Sequence, residues 1–271
     1  MAEGDSILRL ARRIDERLGG KTVTVRSPGP RRPAGLPPSA IDGRVLERAE
    51  SRGKHLLIHF EGGVALHSHL GMRGSWQLYA EGERWRRPAS QAWIALTAEG
   101  IEAVNFGGST MRIARQGQLR RDPRLARLGP DILGEGFEVG AAVRSLRRAG
   151  RGTELGEALL DQSLVAGIGN IFKSEGCFEA GIDPRTRLDS LDDAALGAVL
   201  DSTRTLMLEA VASGRQPNRV YRSARRPCPR CGTAIDSTVQ GDSARTSYWC
   251  PGCQDRPGRG ARPGAPSRAA R

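Results

Sequence analysis

The sequence predicts an α+β fold: a β-sandwich or flattened barrel with one helix packed against it, then a helical half that ends in a small metal-held ribbon. Three observations predict it. The opening run is amphipathic at helical spacing, and the apolar period shortens towards two from about residue 21 to 115. The pattern turns helical again after about residue 130, and two C-x-x-C pairs follow near the end of the chain.

Residues 5–18 read as the first helix. Ile7, Leu10, Ala11, Ile14 and Leu18 share one face with Arg and Glu opposite, Asp5 or Ser6 caps the start, and Gly19-Gly20 ends it. In the β half, Val23/Val25, Leu56/Ile58 and Val64/Leu66 alternate with other residues, and Glu61-Gly62-Gly63 reads as a hairpin connection. The Pro-rich stretch 28–38 is a surface loop. Helices are expected over 137–149, 153–162, 171–180 and 190–213, the last capped at Ser190-Leu191-Asp192-Asp193. The halves divide just after Leu128-Gly129-Pro130-Asp131, around residue 133. Residues 255–271 hold five Arg, three Pro, three Gly and no aromatic residue, and read as a disordered basic tail. That tail is either a solvated extension or a non-specific DNA tether.

The 271 residues suit two ordinary domains, and the 35 glycines added to the hydrophobic set bring the apolar share to the globular norm. A wholly disordered chain is thereby excluded. A formal net charge of +12 favours a polyanionic partner, nucleic acid before membrane. No apolar run is long enough to span a bilayer, and Arg9, Arg12 and Arg13 interrupt any signal-peptide core, so a soluble cytoplasmic protein without membrane contact is expected. Lysine occurs only at Lys21, Lys54 and Lys173 among otherwise arginine cations.

Cys228-Pro229-Arg230-Cys231 and Cys250-Pro251-Gly252-Cys253 are separated by 18 residues, the spacing of a zinc ribbon. Two residues between ligands let each pair turn around one tetrahedral ion, and four thiolates leave no open position, so the zinc is structural. Between the pairs lie Arg245, Tyr248 and Trp249. Arg245 is either a phosphate donor carried by the hairpin or a plain surface residue. Cys177 reads as a small core residue. His55, His59, His67 and His69 fall in β-patterned segments. His67 and His69 share a face with no third ligand after them, so all four read as packing or hydrogen-bonding groups.

The chain opens Met1-Ala2-Glu3-Gly4-Asp5. Ala2 is small, so loss of Met1 is expected, leaving an α-amine with a pKa near 7.7–8.0, roughly a tenth to a fifth unprotonated at pH 7. Such an amine forms a Schiff base with a carbonyl-like carbon, and Glu3 beside it can supply a proton. By itself this reads as an ordinary N-terminus.

Taken in order, the opening MAEGDS, Ser51-Arg52-Gly53-Lys54, His69-Leu70-Gly71-Met72, Leu128-Gly129-Pro130-Asp131, Asp161-Gln162 before Gly167-Ile168-Gly169-Asn170, and Arg245 ahead of Tyr248-Trp249-Cys250 form a specific series. The sequence resembles the formamidopyrimidine-DNA glycosylase / endonuclease VIII family of base-excision repair enzymes from residue 2 to about 254. The resemblance implies a β-sandwich catalytic domain over 1–133, a helix-two-turn-helix DNA-binding domain over 134–226 and a zinc finger over 227–254. It implies damaged duplex DNA as partner, held between the domains with the lesion flipped out, and a monomeric enzyme, nucleoid-associated in a bacterium. The family's nucleophile falls on Ala2, its acid on Glu3, and its phosphate-binding lysine on Lys54, where a compact charge is wanted. Its helix-two-turn-helix asparagine falls on Asn170, its zinc-finger arginine on Arg245, and the wedge that fills the vacated stack on Met72.

The chain departs from the family pattern at four places. Ala2 stands where the family usually has proline, and Ser6 where a second acid is usual. Val104-Asn105-Phe106-Gly107 lacks the arginine of the purine-specific wedge loop, and only 214–227 separate the last long helix from the ribbon, leaving no room for the base-capping loop. The last two departures favour the endonuclease VIII branch and oxidised pyrimidines. The activity implied is glycosylase plus AP lyase with β,δ-elimination. The alternative is a damaged-DNA or abasic-site binder made slow by Ala2, and a third reading is a zinc-ribbon nucleic-acid protein with no damage role.

Overall fold

The computed structural model describes residues 2–30, 33, 35–241 and 244–254. The expected basic tail at 255–271, like Met1, lies outside these described residues. The chain forms two compact units, Met1–Gly134 and Glu135–Arg271.

In the first unit α1 (Gly4–Leu18) precedes two antiparallel sheets. One sheet runs in the order β1 (Lys21–Thr22), β3 (Val45–Arg52), β4 (His55–Phe60), β5 (Val64–His69), β9 (Thr110–Arg115). The other runs β2 (Thr24–Arg26), β7 (Ile94–Ala98), β8 (Ile101–Phe106), β6 (Ser75–Ala80). One core joins Ile7, Ala11, Ile14 and Leu18 of α1 to Leu56, Ile58, Phe60 and Leu66 of the first sheet and Trp76, Ile94 and Leu96 of the second. Leu10 packs at its margin. Burial of this area from water is what holds the layers together. Because side chains alternate along a strand, Leu57 and Ala65 face the other way, where Leu119 of α2 (Gln116–Arg120) and Leu125 of α3 (Pro123–Ala126) cover them.

Glu61-Gly62-Gly63 does close the β4–β5 hairpin, with Gly62 at φ +80° and Gly63 at +69°, a backbone that favours glycine. The start of α1 differs from expectation. Its cap is Glu3, not Asp5 or Ser6. The Ser6 hydroxyl accepts from the Glu3 N–H at 3.1 Å and donates to the Glu3 carbonyl at 2.8 Å, so the serine closes the turn from inside the helix. The Pro-rich stretch also departs from a plain surface loop, because Leu36 in it is buried in the core.

The second unit contains α4 (Val139–Leu146), α5 (Leu155–Leu160), α6 (Asn170–Ala180), α7 (Asp193–Ser213) and a hairpin of β10 (Asp236–Gln240) and β11 (Arg245–Trp249). Asp192 caps α7, its carboxylate accepting from the Ala195 N–H at 2.7 Å. The ribbon shares a core with α6: Phe178 packs with Val220, Cys228, Ile235 and Cys250. No helix among the described residues is long and apolar enough to cross a membrane.

Candidate functional site

Ala2 packs half-buried against the sandwich core, and Glu3 follows fully buried at the head of α1. A carboxyl group in that position faces the partial positive charge of the helix N-terminus. The capping turn through Ser6 fixes the backbone of Glu3.

Lys54 stands on the tight turn between β3 and β4. That turn is anchored from a distance: the Gly53 N–H donates to Asp131 Oδ2 at 2.7 Å. This gives the Leu128-Gly129-Pro130-Asp131 motif, a boundary and a family signature in the sequence, a physical task. Across the same end of the sheet His55 pairs in register with His69, and their rings lie 4.7 Å apart. His55 Nδ1 is 2.8 Å from His67 Nε2, and His69 Nδ1 is 2.6 Å from Ser109 Oγ. Burial first, then the neighbouring rings and Arg124, holds His55 down at about 3. Burial and Arg112 hold His67 at about 4, and burial with Lys54 beside it lowers His69. All three rings are thereby pushed towards the neutral form. The third ring missed by spacing is His55, which cross-strand register supplies from the opposite strand.

Met72 follows the buried Leu70 and is 59% exposed, the most prominent apolar group of this unit's turns. Gly71 at φ +60° makes the turn, and a Cβ there would meet Ser109 at 3.1 Å. Phe106 behaves oppositely. It is 2% exposed, and Trp85 meets its ring edge-on at 5.8 Å, so Val104-Asn105-Phe106 is the packed end of β8, and the connection begins only at Gly107, φ +77°.

In the second unit the two turns between α5 and α6 are stapled by Gln162. Its amide donates to the Leu160 and Ile168 carbonyls at 2.8 and 3.0 Å and accepts from the Gly167 N–H at 3.0 Å. Gly167 lies at φ +100°, and Gly169 caps α6. Asn170, first in that helix, donates to the Thr246 carbonyl at 2.9 Å. Asn170 and the strand bearing Arg245 are thus joined one residue from the arginine. Lys173, fully buried, donates to Ser247 Oγ at 2.6 Å, and Ser247 bonds Gln240, whose amide reaches Glu154 Oε2 at 2.8 Å. Rarity of lysine marked Lys173 in the sequence without assigning it this role.

The four cysteine sulfurs all lie within 4.8 Å of one another, with Cys228–Cys253 at 3.8 Å and Cys231–Cys250 at 3.4 Å. A tetrahedron with Zn–S bonds of about 2.3 Å has edges of about 3.8 Å, so the set fits one zinc ion. Hydrogen bonding from Thr233 lowers the Cys231 thiol to about 6, while burial pushes Cys250 up to about 11. Zinc would ionise both by direct coordination. Cys177 is fully buried in α6 and raised to about 12 by burial, an inert core thiol.

Residues 1–126 match the model of the formamidopyrimidine-DNA glycosylase N-terminal domain, and residues 128–221 that of the formamidopyrimidine-DNA glycosylase H2TH domain. Residues 226–256 match a zinc finger found in FPG and IleRS. A probable endonuclease 8 2 of Streptomyces coelicolor is 38% identical over 274 residues, covering 95% of each chain. The DNA-(apurinic or apyrimidinic site) lyase Nei2 of Mycolicibacterium smegmatis is 34% identical over 94% of this chain and 99% of its own. Among solved structures, the MutM (Fpg) protein of Thermus thermophilus aligns with a TM-score of 0.78 at 30% identity, over 94% of this chain and 99% of that one. The Lactococcus lactis Fpg in complex with abasic-site DNA shares the fold, with a TM-score of 0.80 at 20% identity, over 94% of this chain and 100% of that one.

Proposed function

The chain belongs to the formamidopyrimidine-DNA glycosylase / endonuclease VIII family of DNA glycosylases and AP lyases, and from that premise we propose that it excises oxidised bases, pyrimidines favoured, through a Schiff base on its own N-terminal amine. The observation that carries the reading is the Ala2–Glu3 arrangement: an N-terminal residue packed on the core beside a fully buried carboxyl group at the head of α1. Once Met1 is removed, the Ala2 amine attacks C1′ of a flipped nucleotide and the base leaves with a proton. Glu3 assists base release and opening of the sugar ring. Loss of a C2′ proton from the resulting imine expels the 3′ phosphate, and a second elimination expels the 5′ phosphate.

Lys54, Asn170 and Arg245 hold phosphates of the damaged strand in this reading, and Met72 fills the gap in the stack. The four cysteines bind one structural zinc that shapes the ribbon and takes no part in bond making. The pyrimidine preference rests on the packed Phe106 strand and the short 214–227 connector. The protein acts on DNA as a monomer in the cytoplasm.

Borohydride trapping on duplexes carrying an abasic site, an oxidised pyrimidine or an oxidised purine tests the proposal. The expected result is a covalent adduct whose mass places the linkage on Ala2, formed fastest with abasic and pyrimidine substrates. Glu3→Gln is expected to spare binding and slow base release. Tight binding with no adduct, after N-terminal mass analysis shows Met1 gone, would replace the enzyme with an abasic-site binder.

A further inference from the structure

The connector between α7 and the ribbon has an unusual backbone. Of 19 described residues with positive φ, 15 are glycine. Two of the four exceptions are Arg222 at φ +56° and Arg225 at φ +67°, three residues apart in this one segment. Arginine has no side-chain means of offsetting that conformation, whereas glycine adopts it without strain.

The strain cannot relax, because the segment is pinned along its length. The Glu175 carboxylate accepts the N–H groups of Arg219, Val220 and Tyr221 at 2.8–3.1 Å. Arg225 N–H donates to the Ile235 carbonyl at 2.8 Å, and Ile235 N–H returns to the Arg226 carbonyl at 2.8 Å. Val220, Ser223 and Cys228 point inward and are buried, while Arg222, Arg225 and Arg226 are exposed. Their neighbours differ in charge balance. Arg219 and Arg230 share Glu179, but none of the three outward arginines has a carboxylate within 4 Å among the described residues. Arg222 instead lies over the Tyr221 ring at 5.4 Å, and Tyr221 meets Tyr248 of β11 edge-on at 5.4 Å, three residues from Arg245.

We propose that Arg222, Arg225 and Arg226 form a rigid phosphate clamp for the DNA backbone. Three exposed guanidinium groups on one short segment, with no carboxylate beside them, suit an anionic ligand with repeated phosphates. A pinned backbone keeps the three side chains on the outer face and spares the backbone part of the ordering cost on binding. The inference rests on the DNA-directed reading above but not on its chemistry.

The test uses the zinc-loaded full chain, a fluorescent intact duplex and the same duplex with a tetrahydrofuran abasic analogue. The double variant Arg222→Gly/Arg225→Gly is expected to hold or raise its melting midpoint, since glycine suits both positions. Its log affinity against log salt should lose about 2 from the slope on both duplexes, with roughly a tenfold loss of affinity at about 0.15 M salt. Arg222→Lys/Arg225→Lys should keep the slope. An unchanged slope in the glycine variant would make the arginines incidental. A fall in midpoint and slope shared by the lysine variant would mean that they act through the fold. Wild-type protein that binds neither duplex would overturn the clamp outright. The intact-duplex arm needs no covalent step, so failure of borohydride trapping leaves it readable.

Discussion

In the sandwich unit Lys54 and Met72 stand on turns outside a core built from Leu56, Ile58, Phe60, Leu66 and the apolar face of α1, and Ala2 and Glu3 pack against that core at the chain start. In the second unit the candidate groups grow out of buried polar chemistry: Asn170 on Thr246, Lys173 on Ser247, Glu175 on three successive amides, and four sulfurs within 4.8 Å. Apolar packing is spread over many contacts and tolerates changes at its turns. A buried polar network is costly when only partly satisfied, so it fails as a block. The first unit should therefore lose function one residue at a time, and the second all at once.

Removing zinc is the largest way to break that contrast. Structural zinc contributes about 10–16 kcal/mol of binding free energy in small fingers. Chelation, or Cys250→Ser, is expected to unfold the ribbon and abolish duplex binding while the β-sheet signal of the first unit melts at its usual temperature. A single unchanged transition with DNA binding intact would show that the ribbon holds its shape without metal. Next comes Glu175→Ala, which leaves the amides of Arg219, Val220 and Tyr221 without their carboxylate. Hydrogen bonds to a charged group contribute about 1.5–3 kcal/mol, so the melting midpoint of the second unit should fall by several degrees. The matching cut in the first unit, Ser109→Ala beside His69, should cost about 1 kcal/mol.

The same contrast explains what the sequence disclosed. Period-two alternation at Leu56/Ile58 and Val64/Leu66 and the glycines at 62 and 63 report local preferences, so sandwich and hairpin were legible. The C-x-x-C spacing is likewise local and carried the metal site. Legibility ended where partners are far apart in sequence. Asp131 reaching back to Gly53, Lys173 to Ser247, and His55 meeting His69 across a strand pair leave no periodic trace. The start of α1 failed for a subtler reason. Asp5 and Ser6 are the stronger intrinsic caps, but Gly4 and Asp5 are buried with the helix head, and packing moved the boundary to Glu3.

Acid sharpens the comparison within the first unit. His55 and His67 titrate near 3 and 4 when folded, against 6.5 when unfolded. Between those values the unfolded chain binds more protons, so stability is full above about pH 6.5 and falls as pH drops towards 4. Each histidine contributes up to about 1.4 kcal/mol per pH unit in that window. The first unit's melting midpoint should fall between pH 6.5 and 4, and His55→Phe should flatten the profile. An equal acid loss in His55→Phe would place the titration elsewhere.

The smallest effect is the most specific to function. Asp131 holds the turn that carries Lys54 through the Gly53 N–H, a bond that Lys54→Ala leaves in place, so the melting midpoint should fall by a few degrees at most. The lysine's role as a phosphate contact predicts a salt slope lower by about 1 and a uniform loss of affinity across DNA sequences. Lys54→Arg should recover only part of that loss, because a planar fork does not replace a compact charge on a tight turn. Asp131→Ala completes the argument. It removes the acceptor of the Gly53 N–H and keeps the lysine in the chain, so it should lower affinity for the abasic duplex while keeping the full salt slope. If Asp131→Ala instead removed one unit of slope as Lys54→Ala does, the turn would serve to create the charge contact itself, and the first unit would share the all-or-none behaviour of the second.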